Sequence, residues 1–424
     1  MRALYSILVY LLLPLALLYL LLKSVRQPEY RRGFGQRLGL SGPVPEGPIL
    51  WVHAASVGEI VAATPLIRRL LARYSDHTLL VTTITPTGAE RVYETFGDRV
   101  LQCYLPLDAG FAVRGFIDRF QPQLAVIIET EIWPTLYGQL HAAGVPVVIA
   151  SARLSQRSVD GYARFRSVIE AALGGELLVA AQTEADAERF KLLGVAASRV
   201  SVTGNLKFDF DVPEDMPEQG HSFRDRHGAL ERQVWVAAST HDGEEQKIIE
   251  AHKTLLLTCP QALLLIVPRH PERFDEVASL IRKSGLNSVR RSSNQICDPN
   301  SQVLLGDSMG ELMTYYAAAD VAFVGGSLVN IGGHNLLEPA ALGMPILSGP
   351  AVQNAPDVAA MLLAAGGLQL VANSDELAAR LAELFARPSS LEELGKGALR
   401  AMQQNRGSLD LMLEVIEVAY RAAP

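Results

Sequence analysis

Short apolar runs alternate with stretches of helical period along most of the chain. In the first half the runs are ILWVHAA, LLVTTIT, LAVIIET, PVVIASA, LLVAAQ and VSVTG. In the second they are VWVAAS, LLLIVP, VLLGD, VAFVGG, PILSG and LQLV. Continuous apolar strands between helices predict parallel sheets covered on both faces. The pattern runs through twice, so two doubly wound, Rossmann-like α/β domains are expected, residues 28–207 and 224–424. Ligands of such sheets bind beyond the carboxyl ends of the strands, which implies a cleft between the two halves. The stretch FDFDVPEDMPEQGHSF, 208–223, is acidic, carries Pro213, Pro217 and Gly220, and shows no apolar period. It is read as the linker.

One further run departs from this pattern. Residues 3–22, ALYSILVYLLLPLALLYLLL, hold no charge. That is enough helix to cross ~30 Å of hydrocarbon, and Pro14 is tolerated there. No small-residue cleavage site follows, so residues 1–27 are read as a retained anchor with a basic flank. Lys23, Arg26, Arg31, Arg32 and Arg37 outweigh Arg2 across the run. The positive-inside rule then places the body of the protein on the cytoplasmic side of a single-pass anchor.

Composition narrows the class. The 424 residues exceed one ordinary core, and 49% apolar with 20% charged residues describes a folded chain. A net charge of −7 argues against a general nucleic-acid binder. Cys103, Cys259 and Cys297 are too few and too scattered for a disulfide framework or a cysteine-based zinc site.

Candidate chemistry sits at the strand ends. In WVHAASVGEI, Glu59 stands on the first turn of a helix. Ser56 and Glu59 fit the S-x-x-E capping box, so on local spacing alone the carboxylate reads first as a cap. Glu129 and Glu131 in ETEIWP follow an apolar strand; two apart on an extended backbone, they would point the same way. Arg153, Arg157, Arg164 and Arg166 crowd ARLSQRSVDGYARFR, a local excess that asks for an anion or marks a solvated face. Lys207 ends the last strand of the first half.

In the second half, GGSLVNIGGHNLLEPA carries Gly325, Gly326, Gly332 and Gly333 ahead of a short helix. Glycines allow close backbone approach and a helix start offers amides to phosphate, while Glu338 could accept ribose hydroxyls. Arg269 leaves the strand LLLIVP at its carboxyl end and could fork onto phosphate. Met309, Gly310 and Glu311 occupy another strand-to-helix turn, with capping as the plainer reading. No dinucleotide fingerprint, Walker lysine or metal-ligand motif is present.

Together, WVHAASVGE, TTITPTGAER, ETEIWP, ARLSQRS, TGNLKFD, PRHPERF and FVGGSLVNIGGHNLLEPA resemble the transferases of 3-deoxy-D-manno-octulosonic acid (Kdo), in order and spacing from about residue 28 onward. The resemblance implies a GT-B glycosyltransferase of lipopolysaccharide biosynthesis at the inner membrane. It would pass Kdo from CMP-Kdo to a tetra-acylated lipid A precursor with inversion, using no metal and no cofactor beyond the donor. It implies Glu59 as the base, with Glu129 and Lys207 stabilising the transition state. Pro268, Arg269, Met309, Gly310, Glu311, Asn335, Leu336, Leu337 and Glu338 would bind CMP; Glu131, Arg153 and Arg157 would meet the acceptor. The competing readings are a GT-B enzyme using a UDP-sugar and a membrane-tethered lipid-binding or scaffold protein without catalytic activity.

Overall fold

The computed structural model describes residues 2–43, 45–209 and 212–422. It divides into two compact units, Met1–Phe210 with Asn405–Pro424, and Asp211–Gln404. Phe210 and Asp211, inside the segment read as linker, lie outside the described residues.

The first unit is built on seven parallel strands: β1 Ile49–His53, β2 Thr78–Thr83, β3 Leu101–Tyr104, β4 Pro122–Ile128, β5 Val147–Ala152, β6 Leu177–Ala181 and β7 Val200–Val202. Their order is β3-β2-β1-β4-β5-β6-β7. The chain winds outward from β1 and then returns to its other side at β4, so β1 and β4 flank the point where the winding reverses. Helices cover both faces. Trp51, Phe116 and Phe190 anchor the core on one face, and Leu50, Val52, Ile60 and Leu66 anchor it on the other. Pro14 lies within the helix Arg2–Arg26. The stretch Leu4–Arg26 is long and apolar enough to cross a membrane, and its most apolar 18-residue window is not buried within the protein.

The second unit repeats the design with β8 Val234–Thr240, β9 Leu263–Pro268, β10 Ser288–Arg290, β11 Val303–Leu305, β12 Val321–Val324, β13 Ile346–Ser348 and β14 Leu368–Leu370. The order is β10-β11-β9-β8-β12-β13-β14, again all parallel, and the winding reverses between β8 and β12. Trp235 and Phe323 are fully buried in its core.

Two boundaries differ from the sequence reading. The final helix, Ser408–Arg421, belongs to the first unit rather than the second. Its Met412, Leu413, Ile416 and Ala419 fill the same core as Leu50 and Val52. The Asp209 carboxylate holds its start, accepting from the amides of Gly407 (2.7 Å) and Leu409 (2.6 Å). Part of the supposed linker is also helical, Met216–Arg226, with Pro217 in the first turn, where a missing N–H costs nothing. Met216, Gly220 and Phe223 form its buried face. A side chain at Gly220 would collide with the Ala317 carbonyl, so the glycine permits close helix packing rather than breaking the helix.

Candidate active site

Glu59 follows β1, and Glu129 follows β4, so both stand at the switch point of the first sheet. Ser56 caps the helix Val57–Arg73: its hydroxyl accepts from the Glu59 amide at 3.4 Å and donates to Glu59 Oε1 at 3.0 Å. The Ala55 amide donates to Oε2 at 2.6 Å. The carboxylate therefore does cap. It also offers about four lone-pair sites, of which these contacts use two, so it can still accept a proton. Burial pushes its pKa upward; the amide and hydroxyl pull the other way, and the charges of Glu129 and Glu131 add to the rise.

Glu129 does not sit on extended backbone. Its φ is 61°, a left-handed conformation that costs of order 1–3 kcal/mol in a residue with a side chain. Its amide bond to the Ala150 carbonyl (2.9 Å) holds it there. The twist turns the carboxylate to Lys207, whose Nζ donates to Oε1 at 2.8 Å. Lys207 is fixed in turn by a short helix, Leu206–Phe208, capped by the Asn205 carboxamide oxygen. Glu131 instead accepts from Trp133 Nε1 at 2.8 Å, and burial, then the charge of Glu129, raises its pKa. The alternation expected for this pair thus fails, yet both carboxylates remain close enough to act on Glu59.

Arg153 and Arg157 lie just past β5, exposed. Arg157 is in the first turn of the helix Gln156–Ala163, which has no acidic residue there. A cation at that end opposes the helix dipole, so an incoming anion would be welcome.

In the second unit one cavity of about 260 Å³ is lined by Pro268, Arg269, Met309, Gly310, Asn335 and Glu338, all singled out from sequence. Ser239, Ser308, Tyr316 and His334 line it as well, and sequence reasoning missed them. Glu311, Leu336 and Leu337 do not. Glu311 pairs with Arg291 at 2.9 Å and accepts from Ser308 (2.5 Å) and Tyr315 (3.1 Å). Burial pushes its pKa up, and these three contacts together outweigh burial and hold it below the usual value. Leu336 and Leu337 are buried. At Glu338 burial raises the pKa against the opposing pull of Asn335 and Arg269.

The glycine pairs do something other than expected. The amides of Gly326, Ser327 and Leu328 all point at the fully buried carboxylate of Glu244, at 2.7, 3.0 and 2.8 Å. A side chain at Gly325 would strike that carboxylate. The amides of Gly332 and Gly333 bond the Gly326 carbonyl at 3.1 and 2.9 Å. The loop is tied to the protein's own acid, and its glycines shape the segment that carries His334 to Glu338. Among the described residues no group of three or more His, Cys, Asp or Glu side chains is placed to hold a metal ion.

Comparison with known proteins agrees with this architecture. A family profile described as 3-deoxy-D-manno-octulosonic-acid transferase (kdotransferase) matches residues 32–210. The 3-deoxy-D-manno-octulosonic acid transferase of Haemophilus influenzae is 42% identical, covering 98% of both chains. That of Bordetella pertussis is 37% identical over 90% of both. Among solved structures, a putative UDP-N-acetylglucosamine 2-epimerase from Listeria monocytogenes matches 89% of this chain and 98% of its own, with a TM-score of 0.56 at 12% identity. The UDP-GlcNAc 2-epimerase of Neisseria meningitidis matches 88% of this chain and 100% of its own, at 0.55 and 15%. Likeness at that identity establishes the GT-B-like fold alone. The long, nearly full-length identities go further: the chain belongs to the Kdo transferase family, glycosyltransferases of lipopolysaccharide biosynthesis.

Proposed function

We propose that the protein transfers Kdo from CMP-Kdo to a sugar hydroxyl of a tetra-acylated lipid A precursor, with inversion and without a metal. The observation that carries the reading is Glu59: a half-buried carboxylate at a sheet switch point, disposed toward protonation by burial and two neighbouring acids. Such a group suits a general base. It would take the acceptor hydroxyl's proton while the oxygen attacks the anomeric carbon; the bond to phosphate breaks and CMP leaves with the electron pair. Lys207, steadied by Glu129, would offset charge developing in that step.

The second-unit cavity would hold CMP. Arg269 would meet its phosphate, and Glu338 would accept from the ribose. Met309, 60% exposed at the cavity, would cover the base. The exposed Arg153 and Arg157 would receive the two phosphates of the acceptor, and Glu131 would meet its sugar. The helix Arg2–Arg26 would hold the enzyme at the inner membrane, with both units on the cytoplasmic side, and concentrate it beside a lipid substrate.

The test is transfer from CMP-Kdo to the lipid A precursor with EDTA present. Transfer that survives EDTA, with competition by CMP and not by UDP, supports the reading. Competition by UDP alone would overturn the donor assignment, and loss of transfer in EDTA would overturn metal independence.

A further inference from the structure

At the cavity of the second unit Arg269 stands with three histidines that the mechanism above has not used. The turn after β8 brings His241, the turn after β9 brings Arg269 and His270, and the loop after β12 brings His334. His241 Nε2 and His334 Nε2 are 2.7 Å apart. Their rings lie within 5° of parallel with centres 4.9 Å apart. That separation is what two coplanar imidazoles joined nitrogen to nitrogen would give. The bond needs one donor and one acceptor, so two imidazolium rings cannot make it. While it holds, the pair carries at most a single positive charge. His270 stands edge-on to His241, its ring centre 5.4 Å away.

The charged groups around the pair are unbalanced. Burial, then His270, Arg269 and Arg273, holds the His241 pKa below its usual value. Burial, then His241, Arg269 and His270, holds that of His334 at about 4. The nearby acids are already engaged. Arg273 holds Glu245 at 3.2 Å, Asp242 at 3.3 Å and Glu276 at 3.0 Å. Glu244 is covered by the three loop amides, and Glu338 is hydrogen-bonded to Asn335 and feels Arg269. Glu272, an exposed side chain, is 3.9 Å from His270 Nδ1. The pair is thus a partly buried imidazole dimer among cations, with His334 at the wall of the cavity, and among the described residues no carboxylate forms an ion pair with either ring.

We infer that the His241–His334 pair is an oxyanion subsite of the donor pocket, and that it takes up one proton as the anion enters. This rests on the reading of the cavity as the nucleotide-sugar site and deepens it. The oxyanion is either the donor's phosphate or its sugar carboxylate; both are acceptors for the same N–H group. An anion there favours the protonated pair, so binding carries a proton at any pH between the free and bound pKa values. Affinity is then greatest on the acid side and falls by about tenfold per pH unit through that window. Above the bound pKa the pair stays neutral and the subsite contributes little.

The test is calorimetric titration of the full-length enzyme in detergent near pH ~6, in two buffers of different ionisation heat. The probe is the methyl ester of CMP, a phosphodiester with no titration of its own in this range. Uptake of about one proton is expected, and His334→Gln and His241→Gln should each abolish it and flatten the pH dependence. An unchanged thermal unfolding midpoint and circular dichroism spectrum in these variants show that they are folded. If the ester binds without a proton, an unreactive CMP-Kdo analogue bearing the carboxylate is titrated next. Uptake with that analogue alone assigns the carboxylate as the ligand; uptake with the ester assigns the phosphate. Binding of both without proton uptake overturns the inference and leaves the nucleotide site standing. Failure of CMP and both analogues to bind overturns the nucleotide site itself.

Discussion

Replacing Glu244 by glutamine tests the glycine loop most severely. The carboxylate is fully buried; Oε2 accepts one backbone amide and Oε1 accepts two. Glutamine keeps one acceptor oxygen. Its NH₂ must face whichever amides the other oxygen served, donor against donor, with no water to relieve either. Bonds to an ionised acceptor contribute roughly 1.5–3 kcal/mol each, and the stranded donors add their own desolvation penalty. A loss of about 3–5 kcal/mol is expected, comparable to breaking other buried charge contacts. For a unit of this size that lowers the midpoint of its thermal transition by roughly 6–20 °C. Hydrogen exchange should localise the damage, with protection lost first at residues 326–328. Because the amides of Gly332 and Gly333 hang from Gly326, CMP affinity should fall as well. An unchanged midpoint with undiminished protection would mean that the glycines are held by something other than Glu244, and would refute the reasoning.

Other consequences follow from the first unit. Since burial and the charges of Glu129 and Glu131 raise the pKa of Glu59, and a base must be ionised to work, the acid limb of kcat/KM should lie above the ordinary carboxylate value. Glu131→Gln removes one of those charges and should move the limb to lower pH; a limb that stays put contradicts the coupling. Lys207→Met leaves Glu129 without its ion pair and should lower kcat about 10²-fold or more, with donor affinity little changed in a calorimetric titration. Arg153→Ala combined with Arg157→Ala should raise KM for the diphosphorylated acceptor several-fold and spare kcat, with the wild-type KM itself rising with salt, because exposed charge pairs are worth only ~0.2–1 kcal/mol each.

Much of the fold can be read from apolar runs because buried parallel strands leave little freedom of composition. The strands that escape notice are short and poorly buried: β3 is only partly buried, and β10 has three half-covered residues. The helix Met216–Arg226 is hidden by its own Pro217 and Gly220, which look like breakers until their packing is seen. The last helix gives no local sign of which core it completes, since Met412 and Ile416 would suit either sheet.

At the site, residues borne by strand ends are legible because topology places them. Glu59, Glu129 and Arg269 all fall where a switch point or strand terminus requires, and Glu338 falls in the short helix that the glycine-rich loop leads into. Partnerships across long separations are not legible. Glu244 lies in STHDGEE and looks like a polar turn, although it satisfies amides 82 to 84 residues away. His241 and His334 are 93 residues apart and meet only because β8 and β12 are neighbours. The twist at Glu129 is likewise invisible in an apolar run, and it is that φ of 61° that turns the carboxylate toward Lys207.

The central claim is that Glu59 is the base, and Glu59→Gln tests it directly. Kdo transfer from CMP-Kdo to the lipid A precursor should fall by ~10²–10⁴-fold while CMP binds as in the wild type. A variant that binds CMP and keeps most of its rate would contradict the account, leaving Glu59 a helix cap and shifting the search for the base to Glu129 and Glu131.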